Sequence, residues 1–192
     1  DSFEHYYSLY QRRNLDLWAE YADGKVTKEE LNRQRYLYPL EAVGAGDSTL
    51  AKDYARDALT MIPTKSKLMP HAREVLEYLS GKYNLYILSN GFKELQSHKM
   101  RSSGIDEYFK KVVLSDDIGI LKPWPEIFHF ALSTTQSELN NSLMIGDSWE
   151  NDIVGAAGVG MHQVFYNLSG RTDLPFAPTY QITDLKDLFN FL

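Results

Sequence analysis

The sequence predicts an α/β protein in which a helical module precedes a parallel β-sheet with helices packed against it. Three observations predict this fold. Up to about Lys67, apolar residues recur at helical spacing, and no run in this first third alternates as a strand does. From Met69 onward, short apolar runs alternate with amphipathic ones, and glycines and prolines mark the boundaries. Strands that alternate with helices form parallel sheets with right-handed crossovers.

The helical module contains three predicted helices. The first carries aromatic and leucine residues at helical spacing and ends at an Asp-Gly turn. The second begins at a capping box, with Thr27 as the N-cap and Glu30 three residues later, and it stops near Gly44. Asp47 or Ser48 caps the third helix.

The rest of the chain is predicted to alternate between strands and helices. The predicted strands are the segments NLYIL, KVVL, SLMIG, MHQVFY and TYQIT. The predicted helices are HAREVLEYLS with Pro70 at its start, the segment from Phe92 to Arg101, PEIFHFALST, ENDIVGAAG and the closing DLKDLFNFL. We therefore expect a helical domain over residues 1–66 and an α/β domain over residues 67–192.

The composition restricts the classes of function. The 192 residues are 43% hydrophobic, and a net charge of −6 argues against nucleic acid as the partner. No cysteine is present, so disulfides and thiolate metal sites are excluded, and we expect a cytoplasmic location. No apolar run approaches transmembrane length, so no membrane partner is expected. A monomer and a homodimer both fit the sequence.

Polar groups follow three of the predicted strands at their carboxyl ends. Ser89, Asn90 and Gly91 follow the first strand, Lys122 lies shortly after the second, and Asp147 follows the third. Ligands of open parallel sheets bind at this edge. The sequence therefore predicts that a hydroxyl, backbone amides, a cation and a carboxylate meet on one rim of the sheet.

These groups suit phosphate chemistry. Ser89 can donate a hydrogen bond to a phosphate oxygen, and the backbone amides of Asn90 and Gly91 can add more. Lys122 carries a compact charge that can neutralise a phosphoryl group. Asp147 offers the hard oxygen ligands that Mg²⁺ prefers. The set therefore favours a small phosphorylated substrate.

Asp152 lies about one turn into the helix that follows Asp147. It could hold a metal-bound water or orient Lys122 by its charge. Simpler alternatives exist for the other residues: the Ser-Asn-Gly segment can be an ordinary turn, Lys122 a solvated lysine, and Asp147 a helix N-cap. Three strand ends that each offer a suitable group, in order, favour the functional interpretation.

The segments LSNG, SDDIGILKP and GDSWENDIVGAAGVG resemble motifs two, three and four of the haloacid dehalogenase-like hydrolase superfamily. Within it, the chain is most similar to the helical-cap phosphatases that include pyrimidine 5′-nucleotidase-like enzymes. The resemblance implies a Rossmann-like core at 67–192 and a helical cap domain at 1–66. It also implies a Mg²⁺-dependent phosphomonoester hydrolase that acts on a small phosphorylated metabolite, with nucleotides among the candidates.

The resemblance also implies roles for single residues. These roles are catalysis by Ser89, Lys122 and Asp152, phosphate binding by Ser89, Asn90, Gly91 and Lys122, and Mg²⁺ binding by Asp147. Haloacid dehalogenases need no metal, and their fourth motif lacks the first aspartate. Since Asp147 is present, the sequence favours a phosphatase.

The family's first motif, DxDx(T/V) after an apolar strand, is absent from these residues. Its first aspartate forms an aspartyl-phosphate, and its second acts as acid and base. The family places that strand before the cap, at the centre of the sheet. We therefore expect the polypeptide to extend upstream, and these residues alone to be inactive. The alternatives are a haloacid dehalogenase and a non-catalytic binding relative that lacks the nucleophile.

Overall fold

The computed structural model describes residues 2–192, which divide into two compact units. The helical unit ends at Thr64, and the α/β unit spans Lys65–Leu192. This boundary lies close to residue 66, where the sequence pattern predicts the end of the helical module. The assignment of that module as a cap domain stays a prediction.

The helical unit contains the three predicted helices, α1 (Phe3–Ala22), α2 (Lys28–Ala42) and α3 (Ser48–Met61). No strand lies within residues 2–64. Two N-caps are confirmed, because Thr27 Oγ1 accepts from the Glu30 amide at 3.1 Å and Asp47 Oδ1 accepts from the Thr49 amide at 2.7 Å. Side-chain caps therefore set the starts of α2 and α3.

One half of the predicted capping box is wrong, namely the bond in which the Glu30 side chain would accept from the Thr27 amide. The Glu30 carboxylate accepts instead from Arg33 Nε at 3.0 Å and from Gln34 Nε2 at 2.9 Å. Both partners lie one turn further along the same face of α2, where an i, i+3 or i, i+4 pair forms readily. The carboxylate therefore turns towards the body of the helix and away from its N-terminus.

Aromatic side chains fill much of the core of the helical unit. Tyr36 on α2 is buried, and its ring stacks on those of Tyr10 at 5.6 Å and Tyr54 at 6.4 Å between centroids. Leu17 and Leu31 are also fully buried. Burial, as the largest cause, raises the pKa of Tyr36 to about 12 because the charged phenolate is disfavoured away from water.

The α/β unit confirms the predicted α/β class with parallel strands. Its strands are β1 (Leu85–Ser89), β2 (Phe109–Leu114), β3 (Leu143–Gly146), β4 (His162–Tyr166) and β5 (Tyr180–Ile182). Its α-helices are α4 (Ala72–Ser80), α5 (Lys93–Ser103), α6 (Pro125–Thr135) and α7 (Gly155–Gly158). Every strand pair is parallel, so the carboxyl ends of paired strands lie at the same edge.

Three predicted helices differ in detail. The segment after β3 begins as a π-helix, Trp149–Val154, and only then continues as α7. The closing segment Leu185–Asn190 is a 3₁₀-helix, whose tight turn is capped by the carboxylate of Asp184. Helix α4 begins at Ala72, because its N-cap His71 has a left-handed backbone with φ of 62°.

The five strands form two sheets, with orders β1-β2 and β3-β4-β5. Within residues 2–192, β1 and β3 each pair with a strand on one side only. Residues of both strands line a cavity of about 430 Å³ in the α/β unit. Val75 and Leu79 of α4 pack with Val164 and Ile182 in a buried apolar core. That core joins α4 to β4 and β5.

Candidate active site

The cavity brings together four of the six predicted site residues. Ser89 ends β1, and Asp147 directly follows β3. Lys122 lies in the loop between β2 and α6, and Asp152 lies in the π-helix. All four line the cavity. The carboxyl ends of the parallel strands therefore place a hydroxyl, an ammonium and two carboxylates around one space.

Lys122 and Asp152 form a buried ion pair. Lys122 Nζ donates to Asp152 Oδ1 at 2.6 Å and to the Leu88 carbonyl oxygen at 2.7 Å. The other carboxylate oxygen of Asp152 accepts from the Ser148 amide at 3.0 Å. Charge-assisted hydrogen bonds of this kind are short and strong. The ammonium is thereby held at the cavity by groups from two other segments of the chain, the end of β1 and the π-helix.

Gly146 provides the space that Asp152 occupies. A Cβ atom at position 146 would lie 2.2 Å from Asp152 Oδ2 and 2.4 Å from its Cγ. Such distances are far below van der Waals contact, and the carboxylate is tied to Lys122 and Ser148. Gly146 therefore permits the close approach of Asp152 to the end of β3.

Asn90 holds the backbone of Lys122. Its Nδ2 donates to the Lys122 carbonyl oxygen at 2.9 Å, and its Oδ1 accepts from the Lys122 amide at 2.7 Å. The sequence pattern pointed only to the backbone amide of Asn90, so this side-chain contact was missed. A side-chain amide that satisfies both backbone groups of one residue fixes the loop after β2 to the end of β1.

The Ser89 hydroxyl lies in a small hydrogen-bond cluster at the end of β1. Its Oγ accepts from the Gly91 amide at 3.0 Å and from Gln96 Nε2 at 2.6 Å. Gln96, one turn into α5, was not identified from the sequence. Because the Gly91 amide is engaged here, a phosphate contact by that amide would require this bond to break. The phosphate role of Gly91 stays a prediction.

Asp147 is exposed at the cavity, so its carboxylate is accessible to a solvated ion. Among residues 2–192 there is no cluster of three or more acidic, histidine or cysteine side chains that could enclose a metal. Mg²⁺ typically takes one or two carboxylates and completes its shell with water and substrate oxygens. One exposed carboxylate beside a cavity that is also lined by Lys122 and Ser89 fits an open Mg²⁺ site.

The adjacent acids Asp116 and Asp117 serve the local structure. Asp117 Oδ2 accepts from the Leu114 amide at 2.9 Å, and Asp116 Oδ2 accepts from the Lys93 amide at 3.2 Å. Their carboxylates cap the turn after β2 and the start of α5. Neither residue lines the cavity described above.

The sequence pattern of haloacid dehalogenase-like hydrolases matches residues 1–160 of the chain. The chain belongs to the haloacid dehalogenase-like hydrolase family. The family prediction from the three motifs is therefore confirmed, and the protein is an enzyme of this hydrolase class. None of the helices in the described part of the chain combines the length and apolarity needed to cross a membrane.

Two relatives align with almost the whole chain. The HAD-hydrolase YfnB of Bacillus subtilis is 29% identical over 187 residues, which cover 95% of this chain and 78% of YfnB. The pyrimidine 5′-nucleotidase YjjG of Escherichia coli is 29% identical over 185 residues, covering 95% of this chain and 80% of YjjG.

The fold is shared with solved structures of the family. A crystal structure of YfnB bound to magnesium aligns with a TM-score of 0.86 at 28% identity, over 99% of this chain and 83% of YfnB. A dehalogenase crystal structure aligns with a TM-score of 0.81 at 26% identity, over 98% of this chain and 84% of the dehalogenase. The Rossmann-like α/β fold predicted from the sequence is therefore confirmed.

Proposed function

We propose that the protein is a Mg²⁺-dependent phosphomonoester hydrolase that acts on a small phosphorylated metabolite. The observation that carries the proposal is the placement of the Lys122 ammonium, the Ser89 hydroxyl and the Asp147 carboxylate around one cavity. A phosphoryl group needs cationic and hydrogen-bonding groups around its oxygens, and both are present. Asp147 and the similarity to YjjG favour phosphate ester hydrolysis over halide displacement.

Each residue has a proposed task in phosphoryl transfer. Ser89 donates a hydrogen bond to a phosphate oxygen, and Lys122 neutralises negative charge on the transferring group. Asp152 keeps Lys122 in position through the 2.6 Å ion pair. Asn90 fixes the backbone of Lys122 by its two side-chain bonds. Because these groups are held before substrate arrives, little reorganisation is needed during the reaction.

Mg²⁺ would be held by Asp147, with water and phosphate oxygens completing its shell. When bound, the ion would neutralise phosphate charge and orient the group for displacement. The donor type at this position agrees with that task, because aspartate oxygens are hard ligands. Asp147 itself therefore serves as a ligand and does not attack phosphorus.

The proposed nucleophile is an aspartate of the family's first motif, which would form an aspartyl-phosphate. Asp152 is unsuited to this task, since both of its carboxylate oxygens accept hydrogen bonds, from Lys122 and Ser148. A carboxylate engaged in this way is a poor nucleophile. The attack on phosphorus is therefore assigned to that first-motif aspartate.

Pyrimidine nucleoside monophosphates are the first substrates to test, because YjjG is named a pyrimidine 5′-nucleotidase. The assay measures phosphate release by the upstream-extended protein with and without Mg²⁺. Asp147→Asn and Lys122→Ala should each lower turnover by roughly 10²-fold or more, as loss of a charged transition-state contact does. Lys110→Ala, which removes an exposed lysine of β2, is the matched control.

Unchanged turnover in both site variants would refute the assignment. A parallel assay measures halide release from a 2-haloacid in the presence of a chelator. Metal-independent halide release would instead support a dehalogenase activity for this protein, as the structural similarity to a dehalogenase would suggest.

A further inference from the structure

The Ser89 hydroxyl oxygen has both of its acceptor positions filled. The Gly91 amide donates to it at 3.0 Å and Gln96 Nε2 donates at 2.6 Å. A serine hydroxyl carries one proton and two lone pairs, so it accepts two hydrogen bonds and donates one. With both lone pairs engaged, the remaining capacity of Ser89 is to donate its own proton.

That proton is available for donation to a group bound in the cavity that Ser89 lines. Gln96, Lys122 and Asp147 line the same cavity. We propose that Gln96 is a positioning residue that makes the Ser89 hydroxyl a fixed hydrogen-bond donor to the substrate phosphate. The inference rests on the proposed phosphatase function and adds a residue that the three family motifs do not contain.

Gly91 supports the same arrangement by leaving space. It is not among the glycines with positive φ, so its backbone conformation does not require glycine. A Cβ atom at position 91 would instead lie 2.4 Å from Gln96 Nε2 and 3.0 Å from Gln96 Cδ. The amide is the free end of a flexible side chain and would move aside. Gly91→Ala should therefore displace Gln96 from Ser89 without unfolding the protein.

An oriented hydrogen-bond donor changes the rate of the reaction, which can be measured separately from the stability of the fold. Without Gln96, the Ser89 oxygen regains a free lone pair and the hydroxyl rotates among several positions, only some of which donate to phosphate. The loss should correspond to about one neutral hydrogen bond, or roughly tenfold in kcat/KM. Both Gln96→Leu and Gly91→Ala should show it, whereas His98→Leu on the exposed face of α5 should not.

Gln96→Glu gives a sharper test, because a carboxylate has the same shape but only accepts hydrogen bonds. It would capture the Ser89 proton and turn it away from phosphate, so this variant should lose more activity than Gln96→Leu at neutral pH. A glutamate has an ordinary pKa of about 4.3, so its protonated fraction grows as the pH falls towards that value. The ratio of variant to wild-type kcat/KM should therefore rise as the assay pH is lowered from about 8 towards about 5.

The decisive measurement combines these variants with Ser89→Ala in the upstream-extended protein. If Gln96 acts through the Ser89 hydroxyl, Gln96→Leu should cost roughly tenfold when Ser89 is present and less than about twofold in the Ser89→Ala background, by the logic of a double-mutant cycle. Equal losses in both backgrounds, or a Gln96→Glu variant with wild-type activity, would overturn the inference while leaving the phosphatase function intact. No phosphate release by the wild type would overturn both.

Discussion

Removal of either partner of the Lys122–Asp152 ion pair should destabilise the α/β unit by about 3–5 kcal/mol. The side chains are 10% and 6% exposed, so neither charge that is left behind can be solvated well. In Asp152→Ala, Lys122 Nζ keeps only its bond to the Leu88 carbonyl, and the Ser148 amide loses its acceptor. In Lys122→Met, the Asp152 carboxylate keeps only the Ser148 bond.

The neutral double variant Lys122→Met/Asp152→Leu should be more stable than either single variant. Its apolar side chains leave no buried charge. Replacing a buried ion pair with apolar side chains often leaves the free energy of unfolding unchanged. The matched control is Arg171→Ala, because the Arg171–Glu150 pair has the same 2.6 Å separation but side chains that are 29% and 68% exposed. An exposed pair contributes only about 0–1 kcal/mol.

Urea and thermal unfolding, each followed by circular dichroism, measure these differences. In a chain of this length, a loss of about 3–5 kcal/mol lowers the melting temperature by roughly 6–20 °C. The reasoning would be refuted if the single variants lost no more than Arg171→Ala does. It would also fail if the double variant lost the sum of the two single losses, since the cost would then not come from an unpaired buried charge.

Two further predictions concern packing and pH. Gly146→Ala should lower the unfolding free energy by about 1–3 kcal/mol, because its Cβ would overlap Asp152 Oδ2. Gly158→Ala is the control, because a Cβ at this position would meet nothing within 4 Å. Urea unfolding should show almost no change in its unfolding free energy. Burial raises the pKa of Tyr36 to about 12, above the ordinary value of about 10. The unfolded chain therefore deprotonates first, so the stability that neutral Tyr36 contributes is present below pH ~10 and is lost as pH rises to about 12. Tyr36→Phe should flatten this alkaline loss in unfolding experiments, whereas exposed Tyr38→Phe should leave it unchanged; an equally steep loss in both variants would contradict the burial argument.

Local pattern accounts well for the helices and strands. Helical spacing in the first third and short apolar runs later in the chain are enough to predict α1–α3 and β1–β5. The N-caps Thr27 and Asp47 are also predictable, since a cap depends on residues only two or three positions away. The orientation of the Glu30 carboxylate is not predictable in this way, because Arg33 and Gln34 compete for it on the same helix face.

The sheet shows where local pattern ends. Short apolar runs identify the strands, but only the paired structure shows that they form two sheets with a cavity lined by β1 and β3. The pairing of strands depends on contacts between distant segments. The same limit applies to the helix after β3, whose π-helical start has no signature in the apolar spacing of ENDIVGAAG.

The sequence by itself determined the family, the α/β class and the order of polar groups at three strand ends, because these properties lie in short contiguous segments. The tertiary structure decided which groups touch. Lys122 is separated in the sequence by 30 residues from Asp152 and by 32 from Asn90, yet it contacts both. Gly146 and Gly91 leave room for side chains that reach them only in the folded chain. The opening left for each side chain, and hence its partner, depends on atoms that approach from elsewhere in the chain, and no local pattern contains them.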